Sequence, residues 1–266
     1  MNSQSDFVRE ICNELNILCE SLSSGYVMRL TKGDFSRRIF GSYWDINSAA
    51  SDRIACDKTA SYALLEKSGI PAIKHELIYN PLRRPEYTRK DGELSHAAQF
   101  LSKYKKVVIK PNQGTKGQDI FFCQTMSELE AAAAAIFLNH PDAALSPYRE
   151  IKNEYRVFYI NGSCRFVYGK AKGQTWQHNL SQGALAFEIP HDECAKLTDL
   201  AIKAAKCIGI TFATIDIAES ADELAVMEIN SGVQAKQLLE QLPHLRPIIK
   251  EIYKEAIDLL MRERLP

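Results

Sequence analysis

Asp216, Glu228 and Asn230 stand near the end of this chain, in Thr214-Ile215-Asp216-Ile217-Ala218 and Val226-Met227-Glu228-Ile229-Asn230. Both segments alternate polar and apolar residues, which is the pattern of a strand. A turn centred on Asp222 leaves Asp216 and Glu228 equidistant from it, so they oppose each other across a ladder and share one face. Asn230, two residues on, shares that face. Ile215, Ile217, Met227 and Ile229 fall on the other, which is expected to be the core side. Two converging carboxylates repel unless a cation lies between them. Oxygen ligands without His or Cys suit Mg²⁺, which takes one or two carboxylates together with substrate phosphates. An ordinary solvated hairpin face has the same pattern.

A second chemical segment runs Val107-Val108-Ile109-Lys110-Pro111-Asn112-Gln113-Gly114-Thr115-Lys116-Gly117-Gln118. A lysine ending a buried strand, followed by a loop with two glycines, brings an ammonium and backbone N–H groups to a polyphosphate. A plain β-turn reads the same way. The spacing is not that of a Walker loop. No His-Arg-Asp catalytic loop follows it, as a protein kinase would require. Lys170, Lys172, His178 and Asn179 form a further polar cluster, either surface decoration or an anion site. Lys58 follows Asp57 early in a helix, where a lysine gains nothing from the helix dipole unless an anion faces it.

The elements that must position these residues follow from periodicity. Phe7, Ile11, Leu15 and Leu18 predict a helix over 5–20. Strands over 25–30 and 36–40 join through Lys32-Gly33-Asp34, and a helix over 55–67 ends at Ser68-Gly69 before Pro71. A strand over 72–79, a helix over 95–101 and strands over 106–110 and 119–123 come next. Ser127, with Glu130 in a capping box, heads a helix over 128–137. Strands over 154–160 and 163–172 flank Asn161-Gly162, a strong hairpin signal. A helix over 192–208, strands over 211–218 and 224–229, and helices over 234–242 and 245–262 complete the chain. This mixture of antiparallel hairpins and helices is an α+β pattern, not a doubly wound parallel sheet.

The 266 residues can bury a sizeable core, and 33 basic residues balance 33 acidic ones. That balance gives no global field toward nucleic acid or an anionic membrane. No stretch approaches the ~20 apolar residues of a membrane span, and the polar start does not read as a secretory signal. Seven dispersed cysteines without a Cys-x-x-Cys pair point to a reducing, cytoplasmic setting.

Taken in order, these segments resemble the ATP-grasp superfamily, especially its ribosomal-protein glutamate ligase and cyanophycin synthetase branch. The resemblance is carried by Asp57-Lys58 with Leu64-Leu65, Ser68-Gly69-Ile70-Pro71, Val108-Ile109-Lys110-Pro111 with Gly114-Thr115-Lys116-Gly117, Glu154-Tyr155-Arg156-Val157-Phe158, Asn179-Leu180-Ser181-Gln182-Gly183 and Asp216…Glu228-Ile229-Asn230. It runs from about residue 50 to the end. It implies two α+β lobes gripping ATP, with a small nucleotide lobe over about 72–145 and a metal-binding lobe over about 146–266. Residues 1–50 form a short N-terminal α/β segment ahead of the ATP-grasp domain at 51–266.

The implied chemistry is ATP-dependent joining of a carboxylate to an amine through an acyl phosphate. A small-molecule kinase and a non-catalytic ATP-binding protein are the alternatives. The resemblance places Lys58 and Lys110 on the phosphates, with Gly114, Thr115, Lys116 and Gly117 closing over them. It places Tyr148 at the adenine hinge, Glu154 toward the ribose, and Arg156 as an orienting partner. Lys170 lies near the γ-phosphate, with Asn179 close by. Asp216, Glu228 and Asn230 hold one or two Mg²⁺ ions, or Mn²⁺. Expected partners are a small carboxylate and an amine, such as an amino acid or peptide, and a homodimer or a carrier protein.

Three features depart from the family pattern. Pro147 stands where the hinge usually has glutamate, Gln182 where the glutamate-ligase branch has arginine, and the N-terminal region is short. Tyr43, Trp44 and Asn47 are candidates to line the acceptor site, the alternative being a place in the core.

Overall fold

The computed structural model describes residues 3–114, 117–172, 180, 183–221 and 223–262. Helix α1 (Gln4–Glu14) starts at a capping box between Ser3 and Asp6 and buries Phe7, Val8, Ile11 and Cys12. It stops short of the predicted residue 20. Asn16 takes a positive φ of 53°, which a short polar side chain tolerates. Leu18 then enters strand β1 (Leu18–Leu22), 60% exposed. Strands β2 (Val27–Lys32), β3 (Phe35–Phe40) and β4 (Tyr43–Trp44) complete an antiparallel sheet in the order β1-β2-β3-β4.

The single helix expected over 55–67 is two, α2 (Ala49–Cys56) and α3 (Lys58–Lys67). Asp57 between them is extended and accepts from the Ala60 N–H, because a short acidic side chain stabilises a helix start better than a helix interior. The second sheet contains β5 (Glu76–Tyr79), β6 (Val107–Pro111), β7 (Phe121–Cys123) and β8 (Asp142–Pro147), in the order β5-β8-β6-β7. Helices α4 (Glu93–Tyr104) and α5 (Met126–Asn139) pack on it. The cap of α5 is Thr125 with Glu128, two residues earlier than the sequence pattern suggests. Strand β5 is shorter than predicted because residues 71–73 leave this sheet. The Pro71 carbonyl and Ile73 N–H pair with Val226 instead, at 2.9 and 2.8 Å.

The third sheet runs β11-β10-β9-β12-β13. Its members are β9 (Asn153–Ile160), β10 (Ser163–Ala171), β11 (Leu185–Glu188), β12 (Phe212–Ser220) and β13 (Glu223–Asn230). At the β9–β10 turn Asn161 and Gly162 both take positive φ, 44° and 87°, as the tight hairpin requires. One face carries Val157, Tyr159, Ala213, Ile215 and Ile217 against α6 (Ala195–Ile208). The other face divides along its length. Phe158, Ile160, Tyr168 and Phe212 join a core with α1, Trp44 and the C-terminal helix α8 (Arg246–Leu260), near α7 (Lys236–Gln241). Beyond that apolar stretch the same face turns polar. All ladders between these strands are antiparallel, so the molecule is α+β.

Candidate active site

The polar end of that face holds the predicted carboxylates. Asp216 pairs with Glu228 in the β12–β13 ladder, and Thr214 with Asn230. The register arises differently from a simple hairpin. Near the turn Ser220 pairs with Glu223 and Ile217 with Val226, and a bulge at Met227 then moves the ladder by one. The bulge therefore exchanges Val226 for Met227. Val226 joins the core beside Ile215, Ile217 and Ile229, while Met227 packs on the small cluster around Ile73, Ala218 and Ala225.

Asp216 is 1% exposed, and its two oxygens take the Arg156 fork at 2.7 Å (Nε) and 2.5 Å (Nη2). Lys170 Nζ adds a bond to Oδ1 at 3.2 Å, and Asn230 Nδ2 one to Oδ2 at 3.3 Å. The same Lys170 ammonium pairs with buried Glu154. Burial pushes the Asp216 carboxyl up, but Arg156 and Lys170 outweigh it and hold it well below the usual range. Burial instead wins at Glu154, whose carboxyl is raised despite Lys170. For Lys170, burial and Arg156 oppose the charge, and Asp216 and Glu154 overcome them to raise its pKa.

Across from this cluster lie Lys110 and Lys58, both 9% exposed. Lys110 lies near the end of β6, and its ammonium makes no hydrogen bond among the described residues. Burial lowers its pKa to about 8, with Lys58 adding to the shift and Glu228 opposing it. Lys58 opens α3, and its Nζ reaches the carbonyls of Asn112 (3.3 Å) and Gly114 (3.4 Å). Asn112 locks this loop to the helix. Its Nδ2 donates to Asp57 Oδ2 at 2.8 Å, and its Oδ1 accepts from the Thr59 N–H at 3.1 Å. Two lysines far apart in sequence thus lie within coulombic reach of each other.

A cavity of about 560 Å³ is lined by Lys58, Gly114, Glu228 and Asn230 among others. Ligand sites typically span roughly 300–1,000 Å³. Tyr148 follows β8. Its N–H donates to the Lys106 carbonyl at 2.9 Å, and its ring meets Phe122 edge-on at 4.8 Å. Gly117 takes a positive φ of 68°. Thr115, Lys116, Asn179, His178 and Gln182 lie outside the described residues, as does the turn residue Asp222.

Of the three acceptor-site candidates, only Tyr43 lines the cavity. Trp44 is 1% exposed between Phe212 and Tyr253, because its large ring fills the shared core. Asn47 clamps backbone, donating to the Phe212 carbonyl and accepting from the Thr211 and Phe212 N–H groups. His75 was not legible in the sequence pattern. It is 5% exposed, and its Nε2 has no partner among the described residues. Burial together with Lys110 and Lys58 holds the imidazole well below its ordinary pKa.

A divalent cation is testable against the donors present. Asp216 is saturated by four hydrogen bonds, whereas Glu228 accepts only one described bond, from Asn230 Nδ2 at 3.2 Å. Glu228 and the Asn230 amide both line the cavity, two oxygen-bearing groups next to space for phosphate. That donor set fits Mg²⁺.

The profile of the RimK-like ATP-grasp domain matches residues 55–243, and the chain belongs to that family. Among its relatives, the tetrahydromethanopterin:alpha-L-glutamate ligase of Methanocaldococcus jannaschii is 26% identical, over 52% of this chain and 49% of that protein. The alpha-aminoadipate–LysW ligase LysX of Saccharolobus solfataricus is 24% identical, over 68% and 62%. The chain thus spans about half to two-thirds of the length of these relatives. D-alanine–D-alanine ligase from Bacillus anthracis complexed with ATP superposes with a TM-score of 0.60 at 16% identity, covering 80% of this chain and 70% of that one. A bifunctional glutathione synthetase from Pasteurella multocida gives 0.57 at 15% identity, covering 96% and 44%. The fold is therefore ATP-grasp, and ATP is the nucleotide of the class.

Proposed function

We propose that this protein is an ATP-dependent carboxylate–amine ligase, forming an amide or peptide bond and releasing ADP and phosphate. The observation that carries this reading is a cavity large enough for phosphates and a small substrate, lined by Lys58, Glu228 and Asn230, with buried Lys110 close enough to feel the charges of Lys58 and Glu228. A carboxylate oxygen attacks the γ-phosphorus and ADP leaves. The amine nitrogen then attacks the acyl carbon, loses a proton, and phosphate departs. The two lysines neutralise charge that spreads over the phosphoryl oxygens. Gly114, Thr115, Lys116 and Gly117 close over the nucleotide, and exclusion of water protects the acyl phosphate.

Glu228 and Asn230, with Asp216 beside them, would hold Mg²⁺. When bound it polarises the phosphoryl oxygens. Arg156 orients Asp216, and Glu154 orients Lys170 while facing the ribose. Tyr148 contributes its ring at the adenine side, since its N–H is engaged by Lys106. Lys170, with Asn179, stands by the acyl phosphate.

In this reading residues 51–266 form the ATP-grasp domain, with lobes over about 72–145 and 146–266, and residues 1–50 an N-terminal segment. The seven free cysteines support a reducing, cytoplasmic setting. The relatives named above support an amino-acid substrate, free, peptide-borne or on a carrier, and a homodimer is compatible.

The test is ADP release from ATP–Mg²⁺ with pairs of amino acids and peptides, with products identified by mass spectrometry and the acyl phosphate trapped as a hydroxamate. An amide product with stoichiometric ADP is expected. A stable phosphorylated product without hydroxamate points to a kinase, and no turnover with any pair sinks the ligase reading.

A further inference from the structure

The cavity beside Glu228 and Asn230 is also lined by groups that the phosphate chemistry does not use. Asp52 and Arg53 of α2 line it, together with Phe40 and Tyr43 of the N-terminal sheet. Asp52 is half-buried and fixed in place. Its Oδ1 accepts from Asn47 Nδ2 at 3.0 Å, and Asn47 is itself bonded to the backbone at the start of β12. The nearby Ser231 hydroxyl also favours the charged form of the Asp52 carboxylate. Both groups are neutral. Burial raises the Asp52 carboxyl, and Asn47, Ser231 and, least, the Arg53 charge only partly offset it. A carboxylate withdrawn from water and held by neutral groups favours the approach of a cation.

Arg53 provides the opposite charge. It is exposed and makes no hydrogen bond or ion pair among the described residues. A guanidinium fork matches a carboxylate with two parallel bonds. Phe40 is 54% exposed and Tyr43 37%, so apolar ring surface faces the same space. The Tyr43 hydroxyl lies 3.7 Å from Cys56 Sγ, which is 3.6 Å from Ser231 Oγ, so the ring is tied to the loop that holds Asp52. A fixed anion, an exposed cation and an aromatic wall in one cavity describe a receptor for a small zwitterion.

We propose that Asp52 and Arg53 bind the amine-donating amino acid, its α-ammonium on Asp52 and its α-carboxylate on Arg53, with Phe40 and Tyr43 against its side chain. The amine then lies in the cavity that Glu228 and Asn230 also line. The assignment of this amino acid as the acceptor rests on the ligase reading, whereas its binding does not.

The experiment is titration calorimetry on the full chain with saturating ADP and Mg²⁺, using the twenty standard L-amino acids one at a time and then the α-amide of the best binder. At least one amino acid is expected to bind. Arg53→Ala weakens it about tenfold or more, the loss of a charge-assisted bidentate pair, and Arg53→Lys restores only part of this. The α-amide binds wild type weakly and is insensitive to Arg53→Ala. Asp52→Asn weakens the amino acid but not ADP. Binding by none of the twenty overturns the proposal, as does affinity unchanged by Arg53→Ala or an α-amide that binds as well as its parent acid. ADP release is measured in parallel. Its absence with intact, Arg53-dependent binding removes the ligase reading and leaves the zwitterion site standing.

Discussion

Lys110 is buried next to Pro111, which lines the cavity. Its ammonium is buried without a hydrogen bond among the described residues, so burial lowers its pKa to about 8. In the proposed reading a polyphosphate adds negative charge beside it, on top of that of Glu228, Glu154 and Asp216. Lys110→Ala is expected to lower ATP turnover by at least about 10²-fold, the scale of losing one transition-state charge contact. Glu228→Ala is expected to do the same, with far-UV circular dichroism unchanged for both. Wild-type-like rates in either variant would remove that residue from the site. Asp216 belongs to a different category, because its oxygens are already filled by Arg156, Lys170 and Asn230. Breaking a buried, fully bonded charge leaves its partners uncompensated.

At the scale of elements, two contacts hold the frame around the site. Glu10 of α1 accepts from Arg246 and from Lys250 at 2.8 Å, both on α8, and these bonds lower its pKa to about 2. A depressed carboxyl stabilises the fold above its unfolded pKa of about 4.3 and loses that contribution as pH falls through about 2. Glu10→Gln should therefore lower Tm near pH 7 and converge with wild type by about pH 2, followed by calorimetry across that range. The drop should not exceed about 3 °C, since half-exposed ion pairs contribute at most about 1 kcal/mol. In β10, Gly169 lies under the Phe187 ring, and an added Cβ would sit 2.1 Å from that ring. Gly169→Ala should cost about 1–3 kcal/mol in urea unfolding, as overpacking does, and Phe187→Leu should recover part of it.

Across the whole molecule, the N-terminal segment is built into the main core. Phe7, Trp44, Phe158, Phe212 and Tyr253 belong to one cluster, drawn from α1, the first sheet, the third sheet and α8. At the β13–α7 connection, Gly232 allows close approach of Ser42, whose Oγ would lie 2.6 Å from an added Cβ. Trp44→Ala should cost about 3–5 kcal/mol, the range for removing a buried large aromatic, measured by urea denaturation. A chain starting at residue 48 should fail to give a cooperative transition. If that chain unfolded cooperatively and bound ATP like wild type, the N-terminal segment would be an independent appendage.

Much of the site was legible because it is local. Strand alternation puts Glu228 and Asn230 on one face of their strand, and a lysine near the end of an apolar strand marks Lys110 wherever the strand lies. The Asn161-Gly162 hairpin is equally local, since only the turn geometry decides it. The family's ordered motifs added the ATP-grasp fold. Other features depend on partners distant in sequence, and only the tertiary structure decided them. The bulge that sets the Asp216–Glu228 register places Val226 rather than Met227 in the core. The break at Asp57 pairs with Asn112, 55 residues on. Arg156 finds Asp216 because β9 and β12 are neighbours, a pairing of strands 60 residues apart. Trp44 became core and Tyr43 cavity wall because adjacent residues of a strand face opposite ways, and only packing against Phe212 and Tyr253 decides which side is buried.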